Sequence, residues 1–261
     1  MNNLRTVVYK GRYYLLLLLF TILLMTLCSA ASPLYVIQDW TDANTYFTMG
    51  KGIVHGAVPY RDLFDHKGPY LYFLYAIAYL IHHTKFTGVF LLQILSMYLT
   101  LICLFKTADL FLENRKRALF SALLVTYLVF AADTYYVPSQ LDMGGGSPEE
   151  FCLPFLALSL YLLTLQYKQQ RFSARFMLCH GVMMGCVCLI KFNFLLYWVG
   201  LLLPTYIALL YHKRIACFFK GNLWAALGLA AALLPYGIYA LATDSLSDFL
   251  FAYIKFNSMY A

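Results

Sequence analysis

A stretch of apolar residues long enough to cross a bilayer restricts a chain more than any other local feature. Inside hydrocarbon, every backbone N–H and C=O must find its partner within the protein, so such a stretch folds as a helix or joins a closed barrel. This chain carries several apolar runs of roughly 15–20 residues, against the ~20 that span a ~30 Å core as helix. They lack the period-2 alternation and ~10-residue length of barrel strands. Charged residues make up 12% of the chain, about half the share usual in a soluble domain. The expected fold class is therefore all-α, a polytopic transmembrane helical bundle, with residues 1–261 forming a single membrane domain.

The basic residues orient the spans. Arg5, Lys10 and Arg12 precede the first apolar helix, residues 13–31, so the N-terminus is expected in the cytoplasm and residue 32 outside. The segment Leu27–Ser32 looks like a signal-peptidase site, but the helix is long and further spans follow, so a retained anchor is expected. Residues 32–85 then form an outer loop. The next span, 86–105, returns to Lys106, Arg115, Lys116 and Arg117. Pro69–His83, fifteen residues, would reach only about 22 Å as helix, and its tyrosines favour an outer juxtamembrane helix over a span. Residues 118–137 lead out to Asp133, Asp142, Glu149 and Glu150, and 151–167 come back to Lys168, Arg171 and Arg175. The run 176–211 is too long for one crossing and is expected to fold into two, turning at Lys191 and Asn193. After Lys213, Arg214 and Lys220, residues 222–242 go out again.

The result is seven spans, six of them within 86–242, and two outer juxtamembrane helices in the first loop. Of the 19 Lys and Arg, 13 fall inside, with only Asp109 and Glu113 of the 12 acids. Counting Pro69–His83 as a span would invert everything after it. The net charge of +7 is thus a topological bias and not a nucleic-acid footprint. The expected place is the cell (plasma) membrane. Residues 243–261 form an outer tail whose FAYIKFNSMYA reads as the entrance to another helix, which predicts further chain beyond Ala261. Seven cysteines, all in or beside apolar runs, do not suit a disulfide framework. Cys186 and Cys188, two apart on a helix, face different sides and make a poor metal pair.

The polar residues of the outer face carry the chemistry. Asp42 heads a segment of helical spacing, where its plainest role is an N-cap. PYRDLFDHKGP, residues 59–69, holds Arg61, Asp62, Asp65, His66 and Lys67, which are either a solvated charge cluster or a site. Lys67 stands before a helix start, where free N–H groups and the dipole favour a phosphate. Lys191 has no acid near it in sequence and could simply snorkel. Glu149 and Glu150 open a helix, which suits its dipole without further function. His180 and Gln93 read as core hydrogen-bonding groups.

The pattern D-x-x-x-Y-F…G-x-x-P-Y-R-D-x-F-D-H-K-G-P-x-L-Y at Asp42–Tyr72 resembles membrane glycosyltransferases of the GT-C fold. The likeness is to the bacterial branch related to protein O-mannosyltransferases and the lipid A aminoarabinose transferase, over roughly residues 10–215. It implies transfer of a sugar from a polyprenyl-phosphate carrier to a lipid, glycan or protein acceptor of the cell envelope. By this resemblance Asp42 would be the catalytic base, and Lys67 and Lys191 would bind the donor phosphate, with Arg61 as a further candidate. Glu149 or Glu150, with Asp65, would position the acceptor or a divalent cation. Members of that family continue through further spans. The rival expectations are a transporter or flippase of a lipid-linked or anionic solute, which should carry midplane charges and inverted repeats, and an inactive fragment.

Overall fold

A computed structural model describes residues 2–136, 145–169 and 173–260, and the described residues form helices joined by loops, with no strand among them. Asp142 and Arg171 lie outside the described residues, as does the side chain of Asp133. The order is α1 (Asn2–Cys28), α2 (Thr41–Val54), α3 (Pro69–Ile81), α4 (Thr87–Leu112), α5 (Arg115–Tyr136), α6 (Pro148–Lys168) and α7 (Ala174–Cys188). A 3-10 turn (Phe192–Leu195) leads into α8 (Leu196–Tyr211) and α9 (Ile215–Ala242). The chain closes with α10 (Leu246–Phe249), a π-helical stretch (Leu250–Phe256) and α11 (Asn257–Tyr260).

Five helical segments among the described residues are long and apolar enough to cross a membrane: Gly11–Cys28, Thr87–Leu112, Pro148–Lys168, Phe192–Tyr211 and Ile215–Ala242. Their exposed side chains are largely aliphatic, as at Leu19, Leu23, Leu95, Leu203 and Leu234, which is the surface that lipid requires. The helices expected at 86–105, 151–167 and 222–242 form, though α4 continues past Lys106 to Leu112, and the one expected at 13–31 forms as part of α1 and stops at Cys28. The run 176–211 breaks at Leu189–Lys191. Its first half, α7, has 15 residues, about 22 Å of helix and short of a full core. It packs closely on α9 because Gly181, Gly185 and Gly228 meet backbone or small side chains of the facing helix, the small-residue contact typical of helices in lipid.

Successive helices run up and down, so their connections sort to two ends. At one end Lys168 pairs with Glu113 at 3.4 Å, and Arg115 faces Asp109 at 3.6 Å. At the other end gather α2, α3, the start of α6, the α7–α8 turn and the segment after α9. The joining contacts there are explicit. Gly68 N–H donates to Ile190 O at 3.1 Å and Tyr70 N–H to Leu189 O at 2.9 Å. The Tyr253 hydroxyl donates to Cys188 O at 2.5 Å and accepts from Phe192 N–H at 3.0 Å, and Asn257 Nδ2 donates to His66 O at 2.7 Å.

α3 forms over Pro69–Ile81, too short to count among the candidate spans, and is more deeply buried than a helix resting on a surface. Leu71, Tyr72, Tyr75 and Ala78 are fully buried, because α2 covers one flank and α4 another. The two crossings are close: the α carbon of Gly50 sits against the Tyr75 backbone, and that of Gly88 against the Ala78 backbone. Only Ile77, Leu80 and Ile81 remain broadly exposed.

Candidate functional site

The site is built from the loop-rich end of the bundle. Asp42 does not cap α2: Trp40 occupies the cap position, and Asp42 falls in the first turn, where the helix dipole favours its charge. Its Oδ2 accepts from the Tyr46 hydroxyl at 3.1 Å, one turn on, and the residue is otherwise exposed. Burial, and after it the Asp42 charge, push the Tyr46 phenol up, so it stays a donor. The Tyr46 ring lies 6.5 Å from that of Tyr72, whose hydroxyl donates to Asp65 Oδ2 at 2.9 Å. Asp42 and Asp65 therefore stand on either side of a tyrosine pair.

Asp65, His66 and Lys67 form a relay. Asp65 is buried at 8% exposure and accepts from His66 N–H at 2.8 Å. His66 Nδ1 lies 3.3 Å from Asp65 Oδ1, and His66 Nε2 lies 3.1 Å from Lys67 Nζ. An ammonium can only donate, so His66 is neutral with its proton on Nδ1, accepting from Lys67 at Nε2. Burial and the Lys67 charge both hold the imidazole pKa below its ordinary value, against the pull of Asp65 and Asp42. Those three charges thus act on one ring.

The helix start beside Lys67 does not offer open N–H groups, contrary to expectation. Lys67 N–H donates to the Tyr72 hydroxyl at 2.9 Å. Gly68 and Tyr70 give theirs to Ile190 and Leu189, and Pro69 has none. Only the ammonium is left to meet an anion. The same bonds bring Lys191 in, since Lys67 precedes Gly68 and Lys191 follows Ile190. Lys191 pairs with Glu149, across 42 positions of sequence, and so does not merely snorkel.

Glu150 belongs to the frame. Its Oε2 accepts from Gln93 Nε2 at 2.6 Å, Gly146 N–H at 2.9 Å and Ser147 N–H at 3.1 Å, while Ser147 Oγ accepts from Glu150 N–H at 3.2 Å. This is a capping box with a third donor, and it fixes the start of α6. Gln93 also accepts from Ser29 Oγ at 2.8 Å, and Tyr75 donates to Gly146 O at 2.8 Å, so α1, α3, α4 and α6 meet here. Arg61 stands apart from the other candidates. It bonds Asp62 at 3.0 Å and Thr243 O at 2.7 Å, because the loop 58–62 folds over the end of α9. A divalent cation does not suit these carboxylates: Glu149 already faces an ammonium and three donors converge on Glu150. Among the described residues no three His, Cys, Asp or Glu side chains group as ligands. His180, expected to hydrogen-bond, is buried, and among the described residues neither ring nitrogen has a partner.

An apolar cavity of about 340 Å³ opens beside this cluster, between α3, α4, α6 and α7. Tyr70, Phe151 and Ile190 are among its walls, each within three residues of Lys67, Glu149 or Lys191. Charged groups at the head of a hydrocarbon slot fit an amphiphile with an anionic head.

Tyr46 and Tyr72 are site residues that the sequence reading did not single out. The four-residue spacing from Asp42 to Tyr46 was a usable signal, while Tyr72 reaches Asp65 only through the turn at Gly68. Among known proteins, the sequence model of one family, described as "Putative competence-induced protein Ccs4 N-terminal domain", matches residues 4–260. No curated protein and no solved structure matches the chain.

Proposed function

Since the chain belongs to the Ccs4 N-terminal-domain family, whose description names no reaction, we propose a function from its polar cluster. The reading is a glycosyltransferase with a GT-C-like bundle of seven spans, which moves a sugar from a polyprenyl-phosphate carrier to a cell-envelope acceptor. It works at the outer face of the plasma membrane, with the N-terminus in the cytoplasm.

One observation carries the reading. The Gly68–Ile190 bond brings the segments of Lys67 and Lys191 side by side, Asp42 is near enough to act on the His66 ring, and an apolar cavity of about 340 Å³ has walls within three residues of both lysines. The cavity receives the isoprenoid chain. The carrier phosphate meets the ammonium groups of Lys67 and Lys191, the latter released from Glu149. Asp42 takes the proton of the acceptor hydroxyl as its oxygen attacks the anomeric carbon. The bond from that carbon to the phosphate oxygen breaks, and the electron pair leaves with the phosphate, where the lysines stabilise the growing charge. No step needs a metal.

The test is transfer from labelled polyprenyl-phosphate sugars to envelope acceptors by the purified protein in lipid. Asp42→Asn keeps the shape and removes the base, and should cost about 10²–10⁴-fold in turnover with donor binding retained. Undiminished transfer by Asp42→Asn would remove the base from the mechanism. Lys67→Ala should instead weaken donor binding.

A further inference from the structure

A basic corner stands at the far end of α3 from Lys67, about 20 Å away by helical rise. There the chain turns through His82, His83, Thr84 and Lys85 into α4, and the end of α2 comes alongside. The ring of Tyr79 joins the two parts: His55 lies 5.7 Å from it and His83 4.9 Å. Lys51 sits one turn before His55, whose Nδ1 donates to Lys51 O at 2.8 Å. Lys51, His55, His83 and Lys85 are all exposed.

No carboxylate balances these groups in sequence, since neither residues 43–61 nor residues 66–108 contain an Asp or Glu. None does so in space either: Lys51 and Lys85 join no ion pair among the described residues. By contrast Arg61, Lys67 and Lys191 each have a side-chain partner. The positive-inside bias works against lysines on the face proposed as outer, which makes two unpaired ones in one corner informative. Their charge is complementary to an anion.

The turn itself is fixed. His82 Nδ1 accepts from Thr84 N–H at 3.3 Å and Lys85 N–H at 3.1 Å, so the ring is neutral with its proton on Nε2. That N–H has no partner among the described residues and stands as a donor beside Lys85. Position then selects the anion. Leu80 and Ile81 are broadly exposed just before the turn, and Leu91 just after it, on a helix long and apolar enough to cross a membrane. The turn therefore lies between two apolar surfaces, at the level where hydrocarbon gives way to headgroups. A free anion gains nothing from those leucines, whereas a phospholipid meets both features.

We propose that this corner binds the phosphate of an anionic phospholipid in the adjoining leaflet, through Lys85 and His82, with Lys51 adding its charge. The acyl chains lie along Leu80, Ile81 and Leu91, none of which lines the carrier slot. The site does not depend on glycosyl transfer.

The probe is phosphatidylglycerol with a photoactivatable diazirine near the ester of one acyl chain, mixed with phosphatidylcholine around the purified full chain and mapped by mass spectrometry. Label is expected in the peptide spanning Leu80–Leu91, well above that left by the phosphatidylcholine form of the probe. Lys51→Gln and Lys85→Gln should each cut the phosphatidylglycerol label by about five-fold with the melting temperature held, as expected of a lysine near an anionic surface. Lys85→Arg should retain it. His82→Asn still offers the turn an acceptor but loses the Nε2 proton, and should lower the label. Asp42→Asn, which stops transfer, should leave the label in place, so this proposal and the glycosyltransferase reading fail separately. Equal labelling by the phosphatidylcholine probe, or a phosphatidylglycerol label that survives loss of both lysines, would overturn the proposal. So would displacement of the label by inorganic phosphate or polyprenyl phosphate at concentrations where phosphatidylglycerol leaves it in place.

Discussion

At the scale of single residues, the protonation of His66 governs how Lys67 is held. A neutral ring accepts from the ammonium; an imidazolium cannot, and repels it. The folded pKa of His66 lies below the unfolded value of about 6.5, so the stabilising contribution is present above that value and is lost as pH falls through the folded pKa. Affinity for polyprenyl phosphate should therefore drop only as pH falls through that depressed folded pKa, opposite to what added positive charge alone would give. His66→Gln, which still offers an acceptor but does not titrate in this range, should flatten that dependence. Binding titrations across pH with both proteins decide it, and an unchanged pH profile in the variant would dissociate His66 from the clamp. At this scale the sequence was half legible. Asp42 with Tyr46 is a local pair, visible from spacing. Glu149 with Lys191 is not, since nothing in either neighbourhood reports a partner 42 positions away.

Among elements, the join between the start of α3 and the α7–α8 turn is the sensitive one. A Cβ on Gly68 would run into the carbonyls of Leu189 and Ile190, the same groups that accept from Gly68 and Tyr70. Gly68→Ala should destabilise by about 1–3 kcal/mol through overpacking and should weaken donor binding as Lys67 and Lys191 move apart. Gly200→Ala on α8, where a Cβ meets nothing within 4 Å, is the matched control and should do neither. Thermal unfolding and donor titration report the two effects separately. By the same logic Ser147→Ala should cost about 1 kcal/mol by removing the α6 cap, and leave Asp42 and Lys67 in place. The long apolar helices could be read from their runs, and so could the break near Lys191. The covering of α3 by both α2 and α4 could not, because Tyr72 and Tyr75 look alike to an interface helix and to a buried one. The use of the helix-start N–H groups by Leu189 and Ile190 was likewise hidden, being a contact between distant segments.

For the whole molecule, the sorting of loops to two ends makes a statement about sidedness that can be measured. Reporter fusions at positions 36 and 55 should read as outside, and those at 114 and 212 as inside. A reversed pattern would place Asp42, Lys67 and Lys191 in the cytoplasm and would end the proposed use of an outward-facing carrier. Composition and charge bias supported this arrangement from the sequence because lipid imposes it on every span alike. The polar cluster is different in kind: its parts come from α2, the loop before α3, the start of α6 and the turn after α7, and the contacts between those segments had no sequence signal.

The turn at Leu189–Lys191 is held from both directions of the chain, by Gly68 and Tyr70 from earlier residues and by Tyr253 from later ones. A ribosome therefore finishes Asp42 and Lys67 long before the groups that lock them in register exist. During elongation the first two-thirds of the chain enters the bilayer with Lys67 beside a missing strut. Only when the residues around Tyr253 have been inserted does the assembly close. Synthesis itself thus sets a clock on competence, and a nascent chain stalled before that point would be an incomplete bundle exposed to membrane quality control.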